Sequence, residues 1–117
     1  MSLIVLAQKI LPDGSTEDLV PTAPHNDLAG FESTRVSFYG SEHARKLGLV
    51  LLPMLAQQDI HASGADLAIL ERETRLLLDN LEATTDHGYW SFRLNNILEA
   101  IRLAKSVANG VGQVYIG

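Results

Sequence analysis

The sequence predicts an α+β fold in which a small sheet of about three strands packs against three helices. Two observations predict it. The region 64–108 has the apolar periodicity of two amphipathic helices, and the apolar runs 3–11 and 111–117 have strand composition. Alternation of β-formers indicates a further strand at 33–39. Since 117 residues suffice for one hydrophobic core, we expect a single domain over 1–117.

The two amphipathic helices form the best-defined part of the prediction. Each helix repeats its apolar side chains at steps of three and four residues, with one threonine in the first stripe. The stripes consist of Leu67, Leu70, Thr74, Leu77 and Leu81, and of Leu94, Ile97, Ile101, Ala104 and Ala108. Between them, the segment Thr84–Gly88 is rich in turn formers. So short a connection predicts an antiparallel helical hairpin.

The remaining segments complete the sheet and its connections. We expect a largely buried strand at 3–11, a strand with one solvent-facing side at 33–39, and a C-terminal strand at 111–117. The C-terminal strand needs a partner, and the candidates are the other two strands. The segment 19–30 contains two prolines and several turn formers, so we expect a loop there, and 59–64 has the composition of a linker.

A third helix is expected from Ser41 to about Gln58. Ser41 is a typical N-cap residue, and the glutamate after it lies where the helix dipole favours an acid. Pro53 lacks the amide that would bond back along the helix, so a kink is expected there. The alternative is that Leu47–Leu52 forms a buried strand followed by a turn.

Both helices of the hairpin carry a second apolar face opposite the stripe. A helix that is apolar on two sides must be sandwiched within its own domain or must bury the second face on another chain. The interface candidates on these faces are Ile69, Leu76, Phe92, Asn96 and Leu103. One alternative is that Leu76 and Leu103 contact the sheet. Asn96 is expected either to cap a loop or strand end within the fold or to set register across an interface.

Residue types that carry catalysis or bind metals are absent or poorly spaced. There is no cysteine, which excludes disulfides, thiolate metal sites and thiol nucleophiles. The four histidines lack the spacing of metal ligands on a helix. The segment Gly40–His43 contains serine and histidine but lacks the second glycine of a nucleophile elbow. We therefore predict no catalytic residue, no metal site and no cofactor.

One group of side chains forms a candidate ligand pocket. Trp90 stands at the beginning of the last helix, where it either packs against the following turn or is exposed as an anchor for a partner. If a pocket is present, the expected lining residues are Tyr39, His87, Trp90 and Arg93.

Charge and hydropathy limit the partners. Nine basic and fourteen acidic residues give a net charge of -5, which disfavours nucleic acid. The longest uncharged apolar stretch, Leu47–Gln58, is too short for a membrane span. No basic residue precedes the apolar run at 3–7, so a signal peptide is not predicted. We expect a soluble cytoplasmic protein that binds neither membranes nor nucleic acid.

These observations predict a small acidic protein without catalytic activity that acts through protein–protein contacts, as a homodimer or with a heteromeric partner. Its size and charge are compatible with binding a basic protein, as immunity proteins do when they neutralise toxins, which is an analogy only. The alternative is a small-molecule-binding domain or a small enzyme, with a site near His87, Trp90 and Arg93.

Overall fold

The N-terminal apolar run forms β1, Ser2–Ile10, the strand around which the sheet is built in the computed structural model, which describes all residues from Met1 to Gly117. The other strands are β2 (Thr16–Leu19), β3 (Leu28–Phe31), β4 (Ile60–Ser63) and β5 (Gly112–Ile116). The sheet is antiparallel throughout and has the order β2-β1-β5-β4, with β3 also paired to β1.

The predicted α+β class and the two terminal strands are confirmed, and β5 pairs with β1. The sheet has five strands rather than about three. β3 lies in the segment expected to be a loop, β4 lies in the expected linker, and β2 had no prediction. Each of these strands is four residues long, which is too short for an alternating pattern to stand out from turn composition.

The strand predicted at 33–39 is wrong, because Arg35–Tyr39 forms a single π-helical turn. Phe38 and Tyr39 are neighbours in the chain and both are buried. A strand would send neighbouring side chains to opposite faces of the sheet, whereas this turn brings both rings into the core.

The helix predicted from Ser41 to about Gln58 is right only at its start. The Ser41 hydroxyl accepts a hydrogen bond from the amide of Ala44, at 3.1 Å, and α1 covers Glu42–Lys46. The chain then turns at Gly48, which has a left-handed φ of 85°. Pro53 lies in the first turn of a separate 3₁₀ helix, Leu52–Ala56, where its missing amide is tolerated. The alternative strand at 47–52 is not formed.

The predicted helical hairpin is confirmed as α2, Ala65–Asp79, and α3, His87–Ser106. An ion pair joins Glu71, in the first half of α2, to Lys105, near the end of α3, so the helices run antiparallel. α3 packs on β1, β3 and β5, and α2 lies beside α3 and over β4. No helix is both long and apolar enough to cross a membrane.

The core lies between the sheet and this helix pair. It contains the predicted stripe residues Leu67, Leu70, Leu77, Leu94, Ile97, Ile101 and Ala104. β5 passes so close to α3 that a Cβ atom built on Gly112 would lie 1.9 Å from the carbonyl oxygen of Ala104. Only glycine fits at that position.

Candidate functional site

The candidate site is a cluster of three aromatic rings and one arginine at the N-terminal end of α3. It consists of Phe31, Tyr89, Phe92 and Arg93, and we refer to it as the aromatic–arginine cluster. The rings of Phe31 and Tyr89 are stacked, with centroids 6.2 Å apart and planes 14° from parallel. The Arg93 guanidinium carbon lies 4.4 Å from the centroid of Tyr89 and 5.4 Å from that of Phe92. The ring faces therefore hold the cation in place.

Local sequence explains how these side chains meet. Asp86 caps α3 by accepting a hydrogen bond from the amide of Tyr89, at 3.0 Å, which sets the first turn. Tyr89 is three residues before Phe92 and four before Arg93, so all three lie on one side of the helix. Phe31 is the last residue of β3, and its pairing with Ser2 of β1 places it beside these side chains.

The cluster rests on a rigid aromatic base. Trp90 is buried, and its ring stacks on Phe38 with centroids 3.5 Å apart and meets Tyr39 edge-on at 5.7 Å. On the β3 side, a Cβ atom on Gly30 would lie 3.3 Å from the Trp90 ring, so the strand approaches the indole closely. Tight packing on several sides limits the movement of Trp90, and hence of Tyr89 beside it.

Arg93 has no acidic partner within the chain. It takes part in none of the six ion pairs of the molecule. Its Nε atom and the hydroxyl of Tyr89 are both buried and make no hydrogen bond. Buried polar atoms are normally paired, so these two are exceptions within the fold. Phe31, at the rim, is 51% exposed.

The structure brings three of the four predicted pocket residues together and leaves one apart. Tyr39 is fully buried, donates a hydrogen bond to the carbonyl of Ala29 at 2.7 Å, and packs against Trp90. Desolvation by burial raises the pKa of the Tyr39 hydroxyl, with a further contribution from Tyr89. Arg93 joins this group through Tyr89, whose ring meets Trp90 edge-on with centroids 5.0 Å apart. His87 is exposed, with Nε2 2.9 Å from the carbonyl oxygen of Glu82 in the interhelical turn.

The five interface candidates occupy three different environments. Ile69 and Leu76 remain 38% and 37% exposed on α2. Phe92 belongs to the aromatic–arginine cluster, and Leu103 is half-buried against the core. Asn96 is 1% exposed and lies inside the molecule.

Asn96 has its partners within its own chain. Its Oδ1 accepts from the amide of Asn26 at 3.1 Å, and its Nδ2 donates to the carbonyl of Leu28 at 2.9 Å. It thus caps the entry to β3, which is the first of the two roles considered from the sequence. The amide of Thr22 also donates to Glu99 of α3, at 3.2 Å, so the segment 20–27 covers part of the second apolar face of α3.

Sequence reasoning missed Phe31 and Tyr89. Phe31 follows a segment interpreted as a loop, and only the pairing of β3 with β1 places it beside α3. The signal that was available is the spacing of Tyr89, Phe92 and Arg93, because residues three and four apart share a helix surface.

A second concave region is a polar cleft of about 350 Å³ beside α2 and α3. Its residues are His25, Glu71, Arg75, Asn95, Leu98, Glu99, Arg102 and Lys105. Both carboxylates in it are already engaged, Glu71 with Arg75 and Lys105, and Glu99 with Arg102. The hydrogen bonds from Arg102, together with the amide of Thr22, lower the pKa of Glu99 to about 2 despite the opposing effect of burial. The chain contains no group of three or more acidic or histidine side chains arranged to hold a metal ion.

Comparison of the chain with protein-family models, with curated proteins and with solved structures gave no match.

Proposed function

We propose that this protein acts by binding another protein, and that the aromatic–arginine cluster is the contact surface. The observation that carries the proposal is Arg93, a cation without an acidic partner that lies against the rings of Tyr89 and Phe92. Tyr89 in turn stacks with the exposed ring of Phe31. Aromatic residues and arginine are enriched at protein interfaces, and tyrosine and arginine contribute strongly to binding energy there. Because the side chains are already ordered, binding loses little rotamer entropy.

The charge and apolar surface of the cluster indicate which groups a partner would present to it. A carboxylate of the partner would pair with the Arg93 guanidinium, and an apolar side chain would cover Phe31. At longer range, the net charge of -5 favours the approach of a basic protein. A basic partner that presents one carboxylate among apolar side chains satisfies both requirements, and an immunity-like role remains within this proposal.

Packing around Trp90 supports a contact surface over the alternative of a small-molecule site. The Trp90 ring is covered by Phe38 and Tyr39, whose side chains occupy the space that a ligand would need. His87, which that alternative places at the site, is bonded to the carbonyl oxygen of Glu82 within the interhelical turn.

The test begins with affinity capture of the partner from the native cells and continues with the purified pair. Arg93→Ala and Phe31→Ala should each weaken binding, measured by titration calorimetry. A contact of this type is worth about 2 kcal/mol or more, which is roughly a 30-fold loss of affinity. Affinity should also fall as salt is raised, because a charged partner is screened.

Val50→Ala is the matched control, since Val50 is also apolar and exposed but lies before the 3₁₀ helix, outside the cluster. It should bind as the wild type does. Unchanged affinity in both cluster variants would refute the assigned surface, and so would a partner that responds only to Ile69→Ala. Circular dichroism of each variant checks that the fold is retained.

A further inference from the structure

The polar cleft beside α2 and α3, about 350 Å³ in volume, is also bordered by the segment 20–27. α2 contributes Glu71 and Arg75, which are one turn apart. α3 contributes a row of side chains on one side of the helix, among them Asn95, Arg102 and Lys105. No residue that lines the cleft belongs to the aromatic–arginine cluster, so the cleft is a separate surface.

The cleft carries an excess of positive charge, although the chain as a whole has a net charge of -5. Its three cations, Arg75, Arg102 and Lys105, face only two carboxylates. One oxygen of Glu71 bonds to Arg75 and the other to Lys105. Arg102 bonds to both oxygens of Glu99. With both carboxylates neutralised in this way, the third cation is uncompensated and the local field favours an anion.

All three cations keep N–H donors that no group of the chain accepts. Arg75 donates only through Nη2, and Arg102 donates through Nε and Nη2. Lys105 donates to Glu71 and has two further hydrogens on Nζ. The side chains of Arg75 and Arg102 are both 60% exposed and that of Lys105 is 44% exposed, so the spare donors are accessible.

The three cations are close neighbours. Arg75 and Lys105 bond to the same carboxylate, and Arg102 lies about one turn before Lys105 on the same side of α3. A phosphate group carries three acceptor oxygens that point in different directions, so one group can accept from all three side chains. A carboxylate has two oxygens in one plane and matches a single guanidinium. The arrangement therefore favours phosphate.

The rest of the lining is polar and suits hydroxyl groups. His25 lines the cleft, and because its Nδ1 is buried, Nε2 is the ring nitrogen that a ligand can reach. Asn95 donates from Nδ2 to the carbonyl of Ser91, which leaves its Oδ1 as an acceptor. Leu98 is the single apolar side chain in the lining. An aromatic base or a lipid tail would find little apolar surface there.

We propose that the cleft binds a small phosphorylated sugar, with the phosphate group held by the three cations and the hydroxyls facing His25 and Asn95. The volume favours an ester over free phosphate, because about 350 Å³ is in the range of pockets that take whole small molecules. Since the cleft shares no residue with the aromatic–arginine cluster, this site goes beyond the proposed partner binding and can be tested independently of it.

Titration calorimetry of the full chain in chloride buffer tests the site with glucose 6-phosphate, inorganic phosphate and glucose as probes. Glucose 6-phosphate should bind saturably with a Kd of about 1 mM or lower, inorganic phosphate should bind more weakly, and glucose should show no binding. A glucose 6-phosphate titration without saturable binding would overturn the proposal. Equal affinity for inorganic phosphate would also overturn it, because the rest of the cleft would then contribute nothing.

Two substitutions at the cleft and one control test the role of its charge. Arg75→Gln and Lys105→Gln should each weaken the binding of glucose 6-phosphate about tenfold or more, since each removes a charge-assisted donor. Arg45→Gln changes the net charge equally but removes an exposed arginine of α1, outside the cleft, and should bind as the wild type does. An equal loss in Arg45→Gln would show that overall charge attracts the ligand and would overturn the proposal.

NMR amide shifts of the wild type, followed during the same titration, locate the ligand without any substitution. The largest changes should surround the cleft and should include the side-chain amide of Asn95. Arg93→Ala should leave the affinity for glucose 6-phosphate unchanged, whereas it should weaken binding of the protein partner. Shifts centred on the aromatic–arginine cluster, together with a loss of affinity in Arg93→Ala, would place the phosphate there and overturn the assignment to the cleft.

Discussion

Glu73 shows how one buried charge can organise a distant segment. The residue is 1% exposed, and its carboxylate accepts hydrogen bonds from the amides of Val50, Leu51 and Leu52 at 2.9 to 3.0 Å. These amides begin the 3₁₀ helix at Leu52–Ala56, which has no side-chain cap of its own. The carboxylate of α2 therefore supplies the missing cap from another element.

Removing this carboxylate should destabilise the fold strongly. Glu73→Ala leaves three amides without an acceptor, and we expect the free energy of unfolding to fall by about 3 kcal/mol or more. Urea denaturation measures the change. Glu42→Ala is the control, because it removes an exposed ion pair with Lys46 that is worth at most about 1 kcal/mol. Similar small losses in both variants would contradict the role assigned to Glu73.

Residue-scale roles could be predicted only in part. Asn96 was expected to have partners because an amide on an apolar face must be satisfied, and capping within the fold was one of its two predicted roles. Glu73 offered no such sign, since glutamate is common on helices. The amides that donate to its carboxylate lie more than twenty residues earlier in the chain and approach only after folding.

At the scale of elements, the close approach of β5 to α3 allows a specific prediction about stability. Gly112→Ala places a methyl group against the Ala104 carbonyl, so strand or helix must shift, and we expect a loss of about 3 kcal/mol. Gly88→Ala is the matched control, because a Cβ there meets only Asp86 Oδ1 at 3.6 Å. Thermal unfolding should show a large decrease for the first variant and little change for the second. Equal midpoints would contradict the packing described.

The segment 20–27 is tied to α3 by Glu99, and this contact should depend on pH. The pKa of Glu99 is lowered from 4.5 to about 2, first by hydrogen bonds from Arg102 and then by the amide of Thr22. A depressed carboxyl pKa stabilises the folded state above the unfolded value. This stabilisation should therefore be complete above pH 4.5 and should be lost as the pH falls from 4.5 towards 2.

Glu99→Gln checks this expectation. Its unfolding free energy, measured by denaturant titration at several acidic pH values, should fall less steeply over that window than the wild-type value. Parallel curves would show that Glu99 does not contribute to the acid sensitivity.

Elements with long periodic patterns could be predicted, and short ones could not. α2 and α3 lie where the spacing of apolar residues indicated, and β1 and β5 lie where runs with strand composition indicated. The four-residue strands depend on pairing with β1 or, for β4, with β5, and the π turn at Arg35–Tyr39 depends on packing against Trp90. Tertiary contacts of this kind leave no local pattern in the sequence.

For the molecule as a whole, residues that stabilise the fold and residues that bind a partner should be separable within the first two turns of α3. Trp90→Ala removes the base of the aromatic–arginine cluster from the core, and we expect a loss of about 3 to 5 kcal/mol. Arg93→Ala removes a half-buried cation without an ion pair and should change stability by less than about 1 kcal/mol. Chemical denaturation of both variants tests this. A loss at Arg93 as large as that at Trp90 would make Arg93 part of the core instead of a contact residue.

The sequence predicted the region of the candidate site but not all of its residues. Trp90, Arg93 and Phe92 were named from residue type and helix position, but Phe31 joins them only through the sheet. On the second apolar face of α2, Ile69 and Leu76 stay exposed. On α3, the segment 20–27 covers part of the corresponding face, because a loop without regular structure can still pack.

The pairing of β1 with β5 also determines when this protein can fold. Val5 lies opposite Ile116, and Ile4 exchanges backbone hydrogen bonds with Gly117 at 3.0 Å, so the middle of the sheet joins segments that are far apart in the sequence. On the ribosome, β1 therefore remains without its main neighbour until residues 112–116 have left the exit tunnel. Until then its two apolar sides are accessible to chaperones and to other nascent chains.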